Sequence, residues 1–175
     1  MKRLFILLAL LWGSWSFAGN GEYYLNKGVN AYNSGNFTKA VKLYKKSCDL
    51  GNARGCLAIG FSYQLGKGVN QNYTEAAKLY KKSCNLGSAR GCYFLGMLNN
   101  KGQGIRQDYT KAAELFKKAC DLGNNWGCGL IGFYYEQGKG VRQSYTKAKY
   151  FYGKACDLGY ELGCKKYAKL NIQGY

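Results

Sequence analysis

The sequence predicts an all-α fold, an α/α solenoid of helix-turn-helix repeats stapled by disulfides. Its eight cysteines fall in pairs whose members are eight residues apart, and each pair begins 36 residues after the previous one. The stretch KLYKKSCDLGNARGC at 42–56 returns almost unchanged at 78–92. A period of this length is typical of units that stack on one another, because one unit alone cannot bury its apolar face. We expect one solenoid domain over 19–175, with units at about 21–56, 57–92, 93–128 and 129–164 and a C-terminal cap at 165–175.

The first 18 residues have the features of a secretory signal peptide. Lys2 and Arg3 precede the apolar run LFILLALLW, which is too short to cross a bilayer as a stable helix. Ser16 and Ala18 are the small residues that signal peptidase requires. We predict cleavage after Ala18, no membrane span, and an exported product that is periplasmic or secreted.

Each unit is expected to contain two helices. The second helix begins at a capping residue such as Asn72, and Glu75 three residues later fits a capping box. The same position in the other units is held by good capping residues, Asn36, Asp108 and Ser144. Gly87 then ends the helix in the left-handed conformation, and the next first helix is predicted over about 89–99. The loop between the helices of the first unit is four residues shorter, and with the lone helix at the C-terminus this predicts nine helices.

The cysteine spacing predicts four disulfides. One cysteine of each pair falls in the last turn of a helix and its partner in the first turn of the antiparallel helix that follows, a separation that disulfide geometry allows. An even count at regular spacing is typical of an oxidising compartment. Because the chain has no histidine and no C-x-x-C pair, we expect no metal and no cofactor. The predicted pairs are Cys48–Cys56, Cys84–Cys92, Cys120–Cys128 and Cys156–Cys164.

The chain is strongly basic. Its formal charge is +17, or +15 once Lys2 and Arg3 are removed with the signal peptide. Such a surface attracts anionic partners over long range. Export makes anionic glycans, lipid headgroups or acidic proteins better partners than nucleic acid, and an equal alternative is that the charge only keeps the protein soluble. We expect a monomer.

Catalytic motifs are weak in this sequence. The segment SYTK, Ser144 to Lys147, matches the S-x-x-K motif of serine β-lactamases, but the companion motifs S-D-N and K-T-G are absent. Ser144 also stands at the capping position of its unit, so we interpret it as a helix cap. The nine acidic residues contain no pair that stands out as general acid and base, so the catalytic residues stay unknown.

The repeats differ from one another at positions suited to recognition. The position of Arg54 and Arg90 is taken by Trp126 and then by Leu162. The first helices, which commonly line the concave face of a solenoid, also vary in aromatic and polar residues, a mixture typical of interaction surfaces. The candidate binding residues are Trp126, Tyr93, Asn99, Asn100, Tyr134 and Glu136.

These motifs together resemble one repeat family. The pattern L-G-x-x-Y, G-x-G-V, Y-x-K-A and K-x-A/S-C-x-x-G over 21–172 is similar to the Sel1-like repeat family, and the cysteine pair in every unit resembles the Helicobacter cysteine-rich proteins. The resemblance implies an exported α/α solenoid with penicillin binding and weak β-lactamase activity, acting on a β-lactam or peptidoglycan-like ligand. The alternative is a scaffold without catalysis that binds peptidoglycan or a host or envelope protein, because repeat folds serve many ligands.

Overall fold

The fold is all-α over the part of the chain that the structure describes. The computed structural model describes residues 19–175, which form nine helices and no strand. The predicted signal peptide lies outside these residues. The helices are α1 (19–33), α2 (Phe37–Asp49), α3 (Ala53–Leu65), α4 (Tyr73–Asn85), α5 (Ala89–Lys101), α6 (Tyr109–Asp121), α7 (Asn125–Gln137), α8 (Tyr145–Asp157) and α9 (Glu161–Ile172). The predicted fold class, an α/α solenoid of helical repeats, is confirmed.

The second helix of each unit begins at a side-chain cap, as predicted. The side-chain oxygen of the capping residue accepts a backbone N–H three residues later, at 3.1, 3.1, 2.8 and 3.3 Å for Asn36, Asn72, Asp108 and Ser144. Each cap of this kind is worth about 1 kcal/mol. The predicted capping box is not formed, because the backbone N–H of Asn72 donates to the Tyr63 carbonyl at 2.9 Å, and the Glu75 carboxylate contacts the Lys78 ammonium at 2.7 Å.

Disulfides join the end of each second helix to the start of the next first helix. They link Cys48 to Cys56, Cys84 to Cys92, Cys120 to Cys128 and Cys156 to Cys164, with 4.5 Å between the Cα atoms of every pair. Closing a ring of nine residues is worth about 2.5 kcal/mol on the loop-entropy estimate. The disulfides therefore fix the turn made by the DLGNARG segment at 49–55 and by its counterparts in the other repeats.

The G-x-G turns that follow α3 and α7 pack closely on the start of α2 and of α6, respectively. Gly140 has a φ of +65°, and a Cβ atom added there would lie 2.3 Å from the backbone of Tyr109. Only glycine allows this approach. The loop between α1 and α2, residues 34–36, has no such turn and is four residues shorter than the loop over 66–72, as predicted.

The chain forms two compact units, which we describe separately. In the first, which ends at Leu79, the core includes Leu25, Tyr44 and Ile59. In the second, Tyr80–Tyr175, the core is built around Phe116, Ile131, Tyr134 and Phe151. Over residues 19–175, no helix is long and apolar enough to cross a membrane. The same residues contain no cluster of three or more potential metal ligands.

Candidate binding groove

A groove of about 370 Å³ opens on the second unit. Its lining is aromatic and aliphatic, with one charged side chain at one end. Several of these apolar side chains are well exposed, at 46% for Trp126, 40% for Phe133 and 50% for Leu162. We name this surface the aromatic groove and define it by Tyr93 and Met97 of α5, Trp126, Gly129, Leu130 and Phe133 of α7, Tyr152 of α8, Tyr160 before α9, and Leu162 and Lys166 of α9.

A wider depression of about 540 Å³ on the first unit is a weaker candidate. Its lining is more polar and includes Tyr23, Lys27 and Asn30. The Lys27 ammonium already lies 4.5 Å from the centre of the Tyr23 ring, which occupies one of the few aromatic faces there. We therefore develop the aromatic groove.

Two walls of the aromatic groove carry an apolar residue where the earlier repeats carry arginine. Trp126 and Leu162 take the position of Arg54 and Arg90, and both line the groove. The Trp126 ring lies 5.9 Å from the ring of Tyr93, so the two side chains form one aromatic surface. Loss of a charged residue from an exposed position, in favour of a large apolar one, is a feature of contact surfaces.

Tyr160 marks a second departure from the repeat. It occupies the N-cap position of α9, yet it makes no side-chain capping bond. The equivalent positions before α3, α5 and α7 are held by residues whose side chains do cap the helix, Asn52, Ser88 and Asn124. A missing cap costs about 1 kcal/mol.

The Tyr160 ring lies over Gly129 instead. A Cβ atom added at Gly129 would be 2.7 Å from this ring, and the earlier repeats have Leu57 and Tyr93 at the glycine position. The two departures therefore depend on each other, since the ring needs the space that the glycine leaves. Tyr160 thus leaves α9 without a side-chain cap and at the same time forms a wall of the groove.

Two phenol groups of the groove are available to a ligand. Within the described residues, the hydroxyls of Tyr93 and Tyr160 have no hydrogen-bond partner, whereas the Tyr152 hydroxyl donates to Glu136 at 2.6 Å. Burial raises the pKa of the Tyr93 phenol, and the nearby Tyr160 raises it further. The Tyr93 hydroxyl is therefore protonated at neutral pH, and the phenol O–H groups of both residues can donate to a bound molecule.

The charged end of the groove is an ion pair between α9 and α7. The Lys166 ammonium lies 3.1 and 3.3 Å from the two carboxylate oxygens of Glu136, which also accepts the Tyr152 O–H. Burial raises the pKa of Glu136, but hydrogen bonds from Tyr152 and Lys166 and the charges of Lys166 and Lys169 outweigh it, so the pKa is lowered. The carboxylate is ionised at neutral pH. The Lys166 side chain stays 32% exposed, which leaves donor capacity toward the groove.

Three of the six predicted binding residues belong to this region. Tyr93 and Trp126 line the groove, and Glu136 holds two lining side chains, Tyr152 and Lys166. These three residues therefore lie in the groove or directly behind its lining, and their binding role stays a prediction.

The other three have intramolecular roles and do not line the groove. Asn99 is buried and donates to the Leu95 carbonyl at 2.9 Å. Asn100 accepts from the Tyr134 hydroxyl at 2.7 Å and from the Lys139 ammonium at 3.0 Å. Tyr134 is 2% exposed and belongs to the core, so the expectation of an accessible side chain there is corrected.

The segment SYTK does not bring its serine and lysine together as a reactive pair. The Ser144 hydroxyl oxygen accepts the backbone N–H of Lys147 at 3.3 Å, as the capping interpretation requires. The Lys147 ammonium lies 5.2 Å from the centre of the Tyr135 ring. Neither residue lines the aromatic groove.

Comparison with known proteins agrees with this architecture. The family model for the Sel1 repeat matches residues 18–52, 53–88, 89–124 and 127–160. The solved structure of Helicobacter pylori cysteine rich protein B is 34% identical, with a TM-score of 0.61, and the match covers 74% of this chain and 92% of that one. The chain is a Sel1-repeat protein of the Helicobacter cysteine-rich family.

Other relatives of this Sel1-repeat protein are longer than it. The structure of c5321, a protective antigen of uropathogenic Escherichia coli with the SLR fold, has a TM-score of 0.81 at 27% identity and covers 89% of this chain, which spans 34% of that one. The Helicobacter pylori protein named "Putative beta-lactamase HcpD" is 38% identical over 72 residues, or 40% of this chain and 24% of the relative. The chain thus spans about a quarter of that curated relative.

Proposed function

We propose that this Sel1-repeat protein is an exported binding scaffold whose aromatic groove holds an extended segment of a partner. The observation that carries the proposal is the set of coordinated departures from the repeat at one groove, Trp126, Gly129, Tyr160 and Leu162. Residues that depart from the repeat pattern without stabilising the fold are expected at functional sites. The exposed rings are of the kind that anchors binding partners.

Export is supported by two features. Four disulfides are typical of proteins from oxidising compartments, and residues 1–18 have the composition of a cleaved leader. Expression of the full chain in a bacterial host with a disulfide-forming periplasm, followed by intact-mass measurement, tests this. We expect a periplasmic product that begins at Gly19 with all eight cysteines oxidised. A product that keeps residues 1–18 would contradict the leader prediction.

Binding at the groove can be tested with a random peptide library. In a product that begins at Gly19, Trp126 is the only tryptophan, so its emission reports on the groove. Peptides selected on the wild type should bind Trp126→Ala and Tyr160→Ala at least about tenfold more weakly when all proteins are compared by titration calorimetry, which needs no tryptophan; this is the loss expected for a buried aromatic contact. The matched control is Tyr150→Ala, which removes a ring that is 58% exposed and outside the groove. Selected peptides that bind all four proteins equally would reject the groove as the binding surface.

A β-lactam is a second candidate ligand. It is favoured by the names of HcpD and of "Putative beta-lactamase HcpE" from Helicobacter pylori, which is 42% identical over 64 residues. The apolar rings and Lys166 could contact the acyl group and the carboxylate of penicillin. Hydrolysis through an acyl-enzyme needs an activated nucleophile, and the hydroxyl groups that line the groove are those of tyrosines.

Intact-mass measurement of the oxidised protein with penicillin, together with assay of the free drug, tests this second candidate. We expect unmodified protein and intact drug. A covalent adduct that disappears in Ser144→Ala would instead establish SYTK as the reacting segment. A peptidoglycan fragment titrated against Trp126 emission tests the remaining ligand class in the same sample.

A further inference from the structure

Four polar side-chain groups that line the aromatic groove have donor capacity toward it, and one of them, Lys166, is already paired with Glu136. They are the Lys166 ammonium, the Trp126 indole N–H and the hydroxyls of Tyr93 and Tyr160. The lining contains no carboxylate, carboxamide, serine or threonine, and the neighbouring carboxylate of Glu136 is engaged by Tyr152 and Lys166. A phenol oxygen can also accept, but indole and ammonium groups can only donate. An occupant of the groove should therefore be rich in acceptors.

The α9 wall of the groove also carries a positive charge. Lys165 pairs with Glu161 at 2.6 Å and Lys166 with Glu136 at 3.1 Å, which leaves Lys169 in excess. Around the Glu136–Lys166 pair, the three lysines of α9 and the two glutamates, one on α9 and one on α7, give a net charge of +1, and of these lysines only Lys166 lines the groove. The formal charge of +17 on the whole chain adds long-range attraction for anions. The excess charge favours an anionic occupant over a neutral one.

We propose that the aromatic groove selects an acidic peptide segment of a partner protein, in which an aromatic or large aliphatic side chain stands next to aspartate or glutamate. The apolar side chain contacts Trp126, Phe133 and Leu162, and the carboxylate reaches Lys166. The Tyr93 and Tyr160 hydroxyls donate to carbonyl oxygens of the extended backbone. This inference rests on the proposed function, that the groove binds a partner segment.

The size and lining of the groove favour a peptide over a glycan. A volume of about 370 Å³ is at the low end for ligand sites and leaves room for one or two side chains of a chain that passes over the surface. Sugar hydroxyls are donors as well as acceptors, so a glycan site needs carboxylate or amide acceptors. The lining of the aromatic groove has none.

Four designed peptides test the selectivity. Each has 12 residues, is N-acetylated and C-amidated, and repeats Gly-Phe-Glu, Gly-Phe-Gln, Gly-Ala-Glu or Gly-Phe-Lys. Affinity is measured by Trp126 emission in the protein that begins at Gly19, or in a Trp12→Phe/Trp15→Phe full chain if the leader is kept. We expect the Phe-Glu peptide to bind at least about tenfold more tightly than the other three, because a charge-assisted hydrogen bond distinguishes it from the Phe-Gln and Phe-Lys peptides and burial of the phenyl rings distinguishes it from the Ala-Glu peptide. Its affinity should fall as the salt concentration rises.

A variant without the Glu136–Lys166 ion pair tests whether Lys166 causes the preference for the acidic peptide. Glu136→Gln/Lys166→Gln replaces both members of the ion pair and leaves no buried charge unpaired, so the fold should be retained in a thermal unfolding control. This variant should lose most of the preference for the Phe-Glu over the Phe-Gln peptide, because only the long-range attraction of the remaining lysines is left. The matched control Lys165→Gln removes a lysine of α9 that does not line the groove, and it should keep the roughly tenfold preference.

The outcomes separate this inference from the proposed function. Equal affinity of the wild type for the Phe-Glu and Phe-Gln peptides would overturn the acidic preference and leave groove binding intact. An N-acetylmuramyl dipeptide that binds through Trp126 when none of the four peptides does would overturn the peptide class. If neither these probes nor a library peptide depends on Trp126, both the inference and the proposed function fail.

Discussion

Replacing Tyr160 tests whether α9 lacks a cap because this position serves the groove. The backbone at Tyr160 has φ −89° and ψ 98°, close to −83° and 111° at Asn124. The Asn124 side chain accepts the Gly127 N–H at 2.7 Å. An asparagine at position 160 can therefore accept the N–H of Gly163, which now bonds the Tyr160 carbonyl at 2.8 Å. Because that N–H already has a partner, the gain should lie at the low end of the usual range for caps.

The comparison is between Tyr160→Asn and Tyr160→Ala. Both variants remove the ring from Gly129, so the difference in their free energies of unfolding isolates the cap. We expect Tyr160→Asn to be more stable by about 0.5–1 kcal/mol, which corresponds to roughly 1–4 °C in Tm for a chain of this size. Thermal unfolding followed by circular dichroism measures this difference, and both variants should bind library peptides weakly. Equal stability would refute the argument that a cap is possible here, and undiminished binding would refute the wall role of the ring.

Three further changes test the scaffold around the groove. Replacing Cys120 and Cys128 together by alanine should lower the free energy of unfolding by at least about 2.5 kcal/mol in a urea titration, and a much smaller loss would contradict the loop-entropy argument. Gly140→Ala should destabilise far more than Gly123→Ala, although both have φ above +60° and share a conformational cost of about 1 kcal/mol. The reason is that a Cβ atom at 140 meets backbone at 2.3 Å while the space at 123 is open, so similar melting temperatures would refute it. Finally, because the folded-state pKa of Glu136 is lowered, its ionisation stabilises the fold at neutral pH, and this contribution is lost as the pH falls through the lowered pKa. The stability gap between wild type and Glu136→Gln should therefore narrow in acid, and a gap independent of pH would argue against the ion pair as its source.

The repeated features of this chain could be predicted from sequence because each recurs at a fixed period. The caps at Asn36 and Asp108 and the disulfides follow from residue types at constant spacing, and the structure has them where the pattern places them. The capping box predicted at Glu75 is wrong, since the backbone N–H of Asn72 that it requires donates instead to the Tyr63 carbonyl at 2.9 Å. Sequence spacing shows which groups are near each other but not which contact is made.

The groove was only partly predictable because variation between repeats has two causes. Tyr134 varies, yet its column is also buried in the two preceding repeats, as the 3% and 2% exposures of Ser62 and Leu98 show. Variation there changes how the core is filled. Phe133, one residue earlier, is 40% exposed and lines the groove. The side of α7 on which a residue lies, and not its variation between repeats, therefore decides whether it lines the groove or fills the core. The signal for Tyr160 was present in the series of capping residues, where one aromatic residue replaces a capping type.

The disulfide of the last repeat explains how α9 tolerates its missing cap. Tyr160 lies inside the nine-residue ring closed by Cys156 and Cys164, so the turn before α9 is held covalently whether or not the helix is capped. A ring of this size is worth about 2.5 kcal/mol, more than the roughly 1 kcal/mol that a cap contributes. Position 160 therefore does not need a capping residue, because the disulfide already holds the turn. Side chains in the turns of this scaffold can thus be recruited to a binding surface at little cost to the fold.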